Sequence, residues 1–407
     1  MLTHSAQPEN TAPRAAQPVP TWLQAVSAVA AVVGIAAAAL GVQQRPLSTW
    51  LYLVANFLYF MGLAQGIVTW AVIFRVAQAR WTPAFSRFGR AGLAFAPVSM
   101  LLFIPLCMGR ETYLVWIRHP LPEKLPWLSA GFFFARNAIG LALLFLISWY
   151  VLRIHQQGQR RWGSETPRWG QADQQLEQIS YRLTAVGIAY LILFAFVFTV
   201  VAMDFVQSLM PTWYSTLIGG YFFIGDLYLS IATLIFMAAL LRRRMGLDRF
   251  LGPEEFQNAG NLLLGFGVFT TGLFWAQFLT IWYENKPVET QYLIPRFYST
   301  PWHPVSWAIL VVALAIPFLL LQSRELKRTP SAVAVPAAFV IVGMWMERVF
   351  LVVPSLLPGE LGFGAAPALM TVGFVGALIL ALSVGLKWTP PASPLDLALK
   401  DVPKLEL

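Results

Sequence analysis

Residues 212–244 read TWYSTLIGGYFFIGDLYLSIATLIFMAALLRRR, and this stretch decides the fold. From Tyr214 to Leu241 it carries one charge, Asp226, and it ends on Arg242, Arg243 and Arg244. At about 1.5 Å per residue, an apolar helix of this length crosses the roughly 30 Å hydrocarbon core of a bilayer. Similar runs lie near Trp22 to Leu40, Leu51 to Phe74, Ala91 to Met108, Gly131 to Val151 and Leu183 to Phe205. Four more lie near Leu262 to Tyr283, Val305 to Leu321, Ala332 to Val353 and Pro367 to Leu386. The 407 residues are 57% hydrophobic and 12% charged, with a mean hydropathy of +0.63. A soluble globule has no interior large enough for that much apolar surface, so lipid must solvate part of it. The chain therefore reads as an all-α integral membrane protein of about ten transmembrane helices.

The first run is read as a spanning helix rather than a signal peptide, because about 20 mostly polar residues precede it and no small-x-small cleavage site leads into a soluble domain. Basic residues set the orientation, since cytoplasmic loops collect Lys and Arg. Twenty of the 28 fall on one side of the predicted spans, among them Arg75, Arg87, Arg90, Arg153, Arg182, Arg242, Arg324, Lys327 and Lys387. The other side holds Arg45, Arg110, Arg118, Lys124, Lys286 and Arg296. Both termini are expected in the cytoplasm, and anionic headgroups account for the net charge of +9 without nucleic acid. A single cysteine, Cys107, rules out disulfides within the chain and cysteine-rich metal or iron-sulfur ligation. The histidines His4, His119, His155 and His303 have no pairing at haem-ligand spacing.

Internal similarity organises the spans. Thr49-Trp50 and Thr212-Trp213 open the second and sixth, and the same offset superposes Phe60 on Phe223 and Gly62 on Gly225. Ala91-Gly92 and Ala259-Gly260 open the third and seventh, while Met203-Asp204 and Met346-Glu347 are each followed by Ser-Leu-x-Pro. The expected architecture is two parallel-repeat four-helix bundles, residues 48–206 and 211–353, between flanking helices at 22–42 and 366–387. Residues 1–21, with four prolines, read as a disordered cytoplasmic tail, and 388–407 as a second cytoplasmic tail.

A charge within a span costs about 2.5–3.5 kcal/mol on insertion scales, so each needs a partner, a cavity or a function. The candidates are Arg136, Asp204, Asp226, Glu347 and Arg348. One reading makes them a proton path or a quinone site; the other has Arg136 neutralising a carboxylate on a neighbouring helix. Glu347 and Arg348 sit about 100° apart on a helix, so they are expected to face different neighbours. The loops on the less basic side carry Arg110, Glu111, His119, Lys124, Glu284, Arg296 and His303 among tryptophans and tyrosines, a candidate docking surface for extracytoplasmic subunits. Two of these loops, 110–129 and 285–302, are long enough to be ordered.

These residues also carry a resemblance. FWAQFLTIWYENKPVETQYLIPR (Phe274 to Arg296), PFLLLQSRELKR (Pro317 to Arg328), MDFVQSLMPTWYSTLIGGYFFIG (Met203 to Gly225) and EKLPWLSAGFFFAR (Glu123 to Arg136) resemble the ActF-type membrane subunit of bacterial alternative complex III, within the NrfD and polysulfide-reductase superfamily. The resemblance covers roughly Trp50 to Pro358. It implies a bacterial cytoplasmic-membrane subunit of a quinol-oxidising respiratory complex (quinol:cytochrome c or a related acceptor). Such a chain carries no redox centre of its own and supplies scaffold, docking surface and a proton half-channel. Implied partners are an ActC-type paralogue, an iron-sulfur subunit and multihaem cytochrome c subunits, with menaquinone as the quinone of the complex. Arg136, Asp204, Glu284 and Arg296 match the family pattern. Gln257, Asn258, Ala259, Gly260 and Asn261 stand where the family shows His-Asp-Leu-Gly-Lys, and Pro287-Val288-Glu289 replaces Pro-Glu-Glu. The alternative reading is a secondary transporter, which would break helices at equivalent mid-membrane positions such as Gly62 and Gly225.

Overall fold

The computed structural model describes residues 19–79, 81–164, 171–248 and 250–389. The expected tails, 1–21 and 388–407, lie almost entirely outside this range. The described residues are 84% helical, without strands. Ten helices there are long and apolar enough to cross a membrane: α1 (Thr21–Gln44), α2 (Pro46–Val76), α3 (Ala84–Met108), α4 (Ala130–Gln157), α5 (Glu177–Leu209), α6 (Ile218–Leu241), α7 (Pro253–Glu284), α8 (Trp302–Leu320), α9 (Pro330–Ser355) and α10 (Ala365–Trp388). Each coincides with an apolar run expected from the sequence; most extend past it where polar ends continue the helix, while α6 starts at Ile218 rather than Tyr214 and α8 ends at Leu320 rather than Leu321.

The interior is built on α2, α6 and α9, which are mostly buried, whereas α1, α7 and α8 show most of their surface to the outside. Lipid is as apolar as leucine, so hydrophobicity alone cannot sort helices; polar bonds and close approach do. Along α2, Asn56 donates to Thr371 Oγ1 of α10 at 3.0 Å and accepts from Trp345 Nε1 of α9 at 3.0 Å. Further along the same helix, Gln65 donates to Ser148 of α4 at 2.9 Å and to Tyr190 of α5 at 2.7 Å. Trp70 Nε1 then donates to the Leu227 carbonyl of α6 at 2.9 Å. A single helix thus ties five others together through side chains that would each be costly if left unpaired. The flanking helices α1 and α10 pack on each other through Gly34 and Gly373, where a Cβ on Gly34 would sit 2.5 Å from the Gly373 Cα.

Helix α8 departs from regular α geometry. It widens into a π turn at Leu310–Ala315, and the Ala313 carbonyl there accepts from Tyr228 of α6 at 2.8 Å. Such turns free a carbonyl from the i−4 ladder, and here another helix uses it. The two long loops are ordered, as expected: helical turns at Arg110–Tyr113, Val115–Arg118 and Pro122–Lys124 in one, Pro287–Leu293 and Ile294–Tyr298 in the other.

Candidate functional site

The intramembrane charges fall into two groups. In the first, Arg136 of α4 meets Asp204 of α5 as a fork, Nε to Oδ2 at 2.7 Å and Nη2 to Oδ1 at 2.5 Å. Its remaining Nη1 donates to the Trp127 carbonyl at 2.7 Å, and the guanidinium lies 4.0 Å from the Trp127 ring centroid. Asn137 adds a bond to Asp204 Oδ2 at 2.5 Å. One cation, one anion and a third donor leave Asp204, which is fully buried, with charge and lone pairs satisfied.

The second group is built around Arg348 of α9. Its Nη2 donates to Asp226 Oδ1 of α6 at 2.9 Å and to the Phe222 carbonyl at 3.0 Å, and its Nη1 donates to Glu347 Oε2 at 2.9 Å. The ring of Phe222 covers the guanidinium at 4.0 Å. The helical angle between Glu347 and Arg348 predicts different neighbours; instead both belong to one cluster. The 100° separation holds at the Cβ atoms, but the arginine stem is long enough to carry the guanidinium back between its neighbour and α6. All three residues are buried, and Asp226 Oδ2 and Arg348 Nε have no hydrogen-bond partner. Two carboxylates therefore share one cation, an excess of one negative charge when every group is ionised.

Glycine makes room for this cluster. A Cβ on Gly62 would run into the Asp226 carboxylate, and one on Gly225 would lie 3.3 Å from Arg348 Nη2. The two glycines that the sequence repeat superposes thus flank the same ion cluster. Helices α2 and α6 continue unbroken past both, which is not the broken-helix geometry of the transporter reading.

The loop candidates divide. Arg110, Glu111, His119, Glu284 and His303 are exposed, Glu284 pairing with Lys286 and His303 Nδ1 lying 2.5 Å from the Phe297 carbonyl. Lys124 is half-buried and ties its loop to the Pro211 carbonyl at 2.5 Å. Arg296 is a correction: it is fully buried and presents no docking surface. It donates to the Phe350 carbonyl at 3.1 Å, the Leu351 carbonyl at 2.9 Å and Ser355 Oγ at 2.7 Å, so it caps the C-terminal end of α9, where the helix dipole favours a cation. Burial pulls its guanidinium below the usual arginine range. At the opposite end, two of the polar replacements in α7 have partners: Asn261 accepts from Lys327 at 2.8 Å and Gln257 from Arg324 at 3.4 Å.

Asn137 and Trp127 do not stand out in the sequence. Asn137 adjoins Arg136 and offers a signal, an amide beside a buried charge; Trp127 reads as an interfacial anchor. Among the described residues there is no group of three or more His, Cys, Asp or Glu side chains placed to hold a metal ion.

The fold and these clusters define a class: a multi-pass, all-α membrane protein whose interior holds a charge cluster with more carboxylate than cation. Within that class, residues 41–358 match the family described as Polysulphide reductase, NrfD, and the chain belongs to it. The family comprises membrane subunits of quinone-interacting respiratory oxidoreductase complexes, in which they partner iron-sulfur and other redox subunits. No curated protein matches the chain.

Proposed function

We propose that this chain is an ActF-type subunit of a quinol-oxidising respiratory complex of the alternative complex III kind, and that it contributes scaffold, docking loops and a proton half-channel. The observation that carries the reading is the cluster Asp226–Arg348–Glu347. A balanced buried pair holds helices together; a cluster with one carboxylate over has a use for a proton, which removes the excess charge without moving a helix. Asp226 and Glu347 are then the residues that take up and release it, and Arg348 holds them within reach of each other. Arg136–Asp204 has a structural role in this reading. The exposed loop residues Arg110, Glu111, His119, Glu284 and His303 form the surface for iron-sulfur and multihaem cytochrome c subunits, and the lipid-facing helices meet an ActC-type paralogue.

The two units 48–206 and 211–353 belong to the same proposal, as do a bacterial cytoplasmic membrane and cytoplasmic termini. Motif resemblance, loop charge and family membership support them. Quinol, menaquinol by the resemblance, is oxidised in the complex, and no redox centre is assigned to this chain. Purification of the tagged chain in mild detergent tests the assignment: haem and iron-sulfur absorbance are expected to co-purify, and a lone colourless chain overturns it.

A further inference from the structure

Among the described residues the buried arginines are Arg87, Arg296 and Arg348, and the last two have their partners. Arg348 holds Asp226 and Glu347, and Arg296 holds the carbonyls at the end of α9. Arg87, near the start of α3, is 4% exposed and has neither kind of partner. No ion pair or hydrogen bond reaches it among the described residues, and its Nε and Nη1 are sealed from solvent, which leaves Nη2 as its open end.

The helices around Arg87 bring more positive charge and no free negative charge. Helix α3 lies against α2, where a Cβ on Gly89 or Gly92 would stand 2.6 Å from the Ile67 or Ala64 carbonyl oxygen. It also lies against the last turns of α10, where a Cβ on Gly385 would run into the Ala91 carbonyl. Arg87 is one turn before Ala91 and shares that face. Helices α2, α3 and α10 contain no aspartate or glutamate, yet they carry Arg75, Arg87, Arg90 and Lys387. Helix α6, which also touches α3, has Asp226 alone, and Arg348 holds it. The dipole of α10 favours a cation at its C-terminal end. Arg87 takes no carbonyl there, however, whereas Arg296 takes two carbonyls and a hydroxyl at the end of α9.

A buried guanidinium without a carboxylate calls for an anion from outside the chain. Its level in the fold selects which one. Arg87 lies at the end of its span on the more basic side, and Trp388, which ends α10 on that side, is 66% exposed, as an indole at the headgroup level is. Lys387 beside it is exposed, and one turn deeper Val384 turns an apolar surface outward. We infer that this corner of α3 and α10 binds an anionic phospholipid. A phosphate oxygen of the lipid accepts from Arg87, a charge-assisted bond of the strong kind. Arg90 and Lys387 add positive charge around the headgroup, and the acyl chains run down the outside of α10 past Val384. A soluble phosphate would share the first contact and leave the apolar surface bare. Such a site requires only that the helices cross a membrane, and is independent of the respiratory assignment.

The test is lipid titration of the full chain, with whatever partners co-purify, delipidated in mild detergent. Bound lipid is counted by native mass spectrometry and stability is read from the thermal melt. Dioleoylphosphatidylglycerol is expected to bind and to raise the melting temperature, while dioleoylphosphatidylcholine and inorganic phosphate at equal concentration do neither. Arg87→Met is expected to weaken phosphatidylglycerol binding about tenfold and to lose the lipid-dependent shift. Because it removes a buried charge that has no partner in the chain, the same variant should melt above the parent when lipid is absent. Arg243→Gln, an exposed arginine just past the end of α6, should respond to lipid as the parent does. An equal response to phosphatidylcholine overturns the inference, and an equal response to inorganic phosphate assigns the site to a soluble anion and overturns it too. So does a loss in Arg243→Gln as large as that in Arg87→Met, which would reduce the effect to surface charge. A lipid-free Arg87→Met that melts below the parent would reveal a partner within the chain and contradict the site. The comparison of the two lipids and phosphate, run on the unmodified chain, decides the question even where a variant fails to fold.

Discussion

The α4–α5 pair and the α6–α9 cluster solve the same problem in different ways. Both put an acidic residue near the end of a spanning helix, just before a Ser-Leu-x-Pro turn, Asp204 in one and Glu347 in the other. Asp204 receives an arginine from the neighbouring helix, a second donor from Asn137 and a tryptophan cover, so its charge and both oxygens are matched, and the only orphaned atom of the group is the Asn137 amide oxygen. Glu347 has its arginine next to it in sequence, and that arginine is shared with Asp226. The difference is one uncompensated carboxylate, an unpaired Oδ2 and an adjoining cavity. On the proposed reading, the charge pair that is complete is a fastener, and the one that is incomplete and lies beside a space is a site.

The comparison can be broken most severely at its cations. Arg348→Met leaves two buried carboxylates without a counter-charge, and removing one partner of a buried pair typically costs about 3–5 kcal/mol. The variant is expected to lose most of its folded yield in detergent, and a thermal melt close to the parent's would contradict the assigned geometry. A sharper contrast comes from removing charges together. Arg136→Met with Asp204→Leu replaces a balanced pair by apolar groups and should fall within about 2 kcal/mol of the parent, since such replacements are often neutral. Arg348→Met with Asp226→Leu still strands Glu347, so its melting temperature should stay well below that of the first double variant.

Smaller effects come from the repeat-related glycines. Gly62→Ala drives a methyl into the Asp226 carboxylate and is expected to cost about 1–3 kcal/mol, the usual range for overpacking. Gly225→Ala, whose nearest neighbours stand at 3.2 and 3.3 Å, should cost less, and equal melting temperatures for the two would show that Asp226 yields freely. Smallest of all, Lys286→Ala removes an exposed partner of Glu284 and should leave the melting temperature unchanged.

The spans are legible in the sequence because length and hydropathy alone define a membrane helix, so all ten apolar runs reappear as helices. Loop order is legible from length. The pairings are not. Arg136 and Asp204 are 68 residues apart, and no spacing rule connects them. Adjacency misleads for Glu347 and Arg348, because helix angles describe where side chains start and say little about where a long one ends. Arg296 reads as a surface charge since it lies in a loop; only the fold reveals that the loop tucks beneath the last turn of α9 and that its carbonyls need a donor. The Gly62–Gly225 match is visible as a repeat, while its purpose, room for an ion cluster, requires the crossing of α2 and α6.

The claim that the second cluster, and not the first, carries protons is tested most directly by the proton-to-electron ratio of the purified complex in vesicles, driven by quinol. Glu347→Gln is expected to lower that ratio while haem content and electron transfer persist, and Asp204→Asn, in a preparation of equal haem content, to leave it unchanged. An unaltered ratio in Glu347→Gln, or a loss confined to Asp204→Asn, would contradict the account.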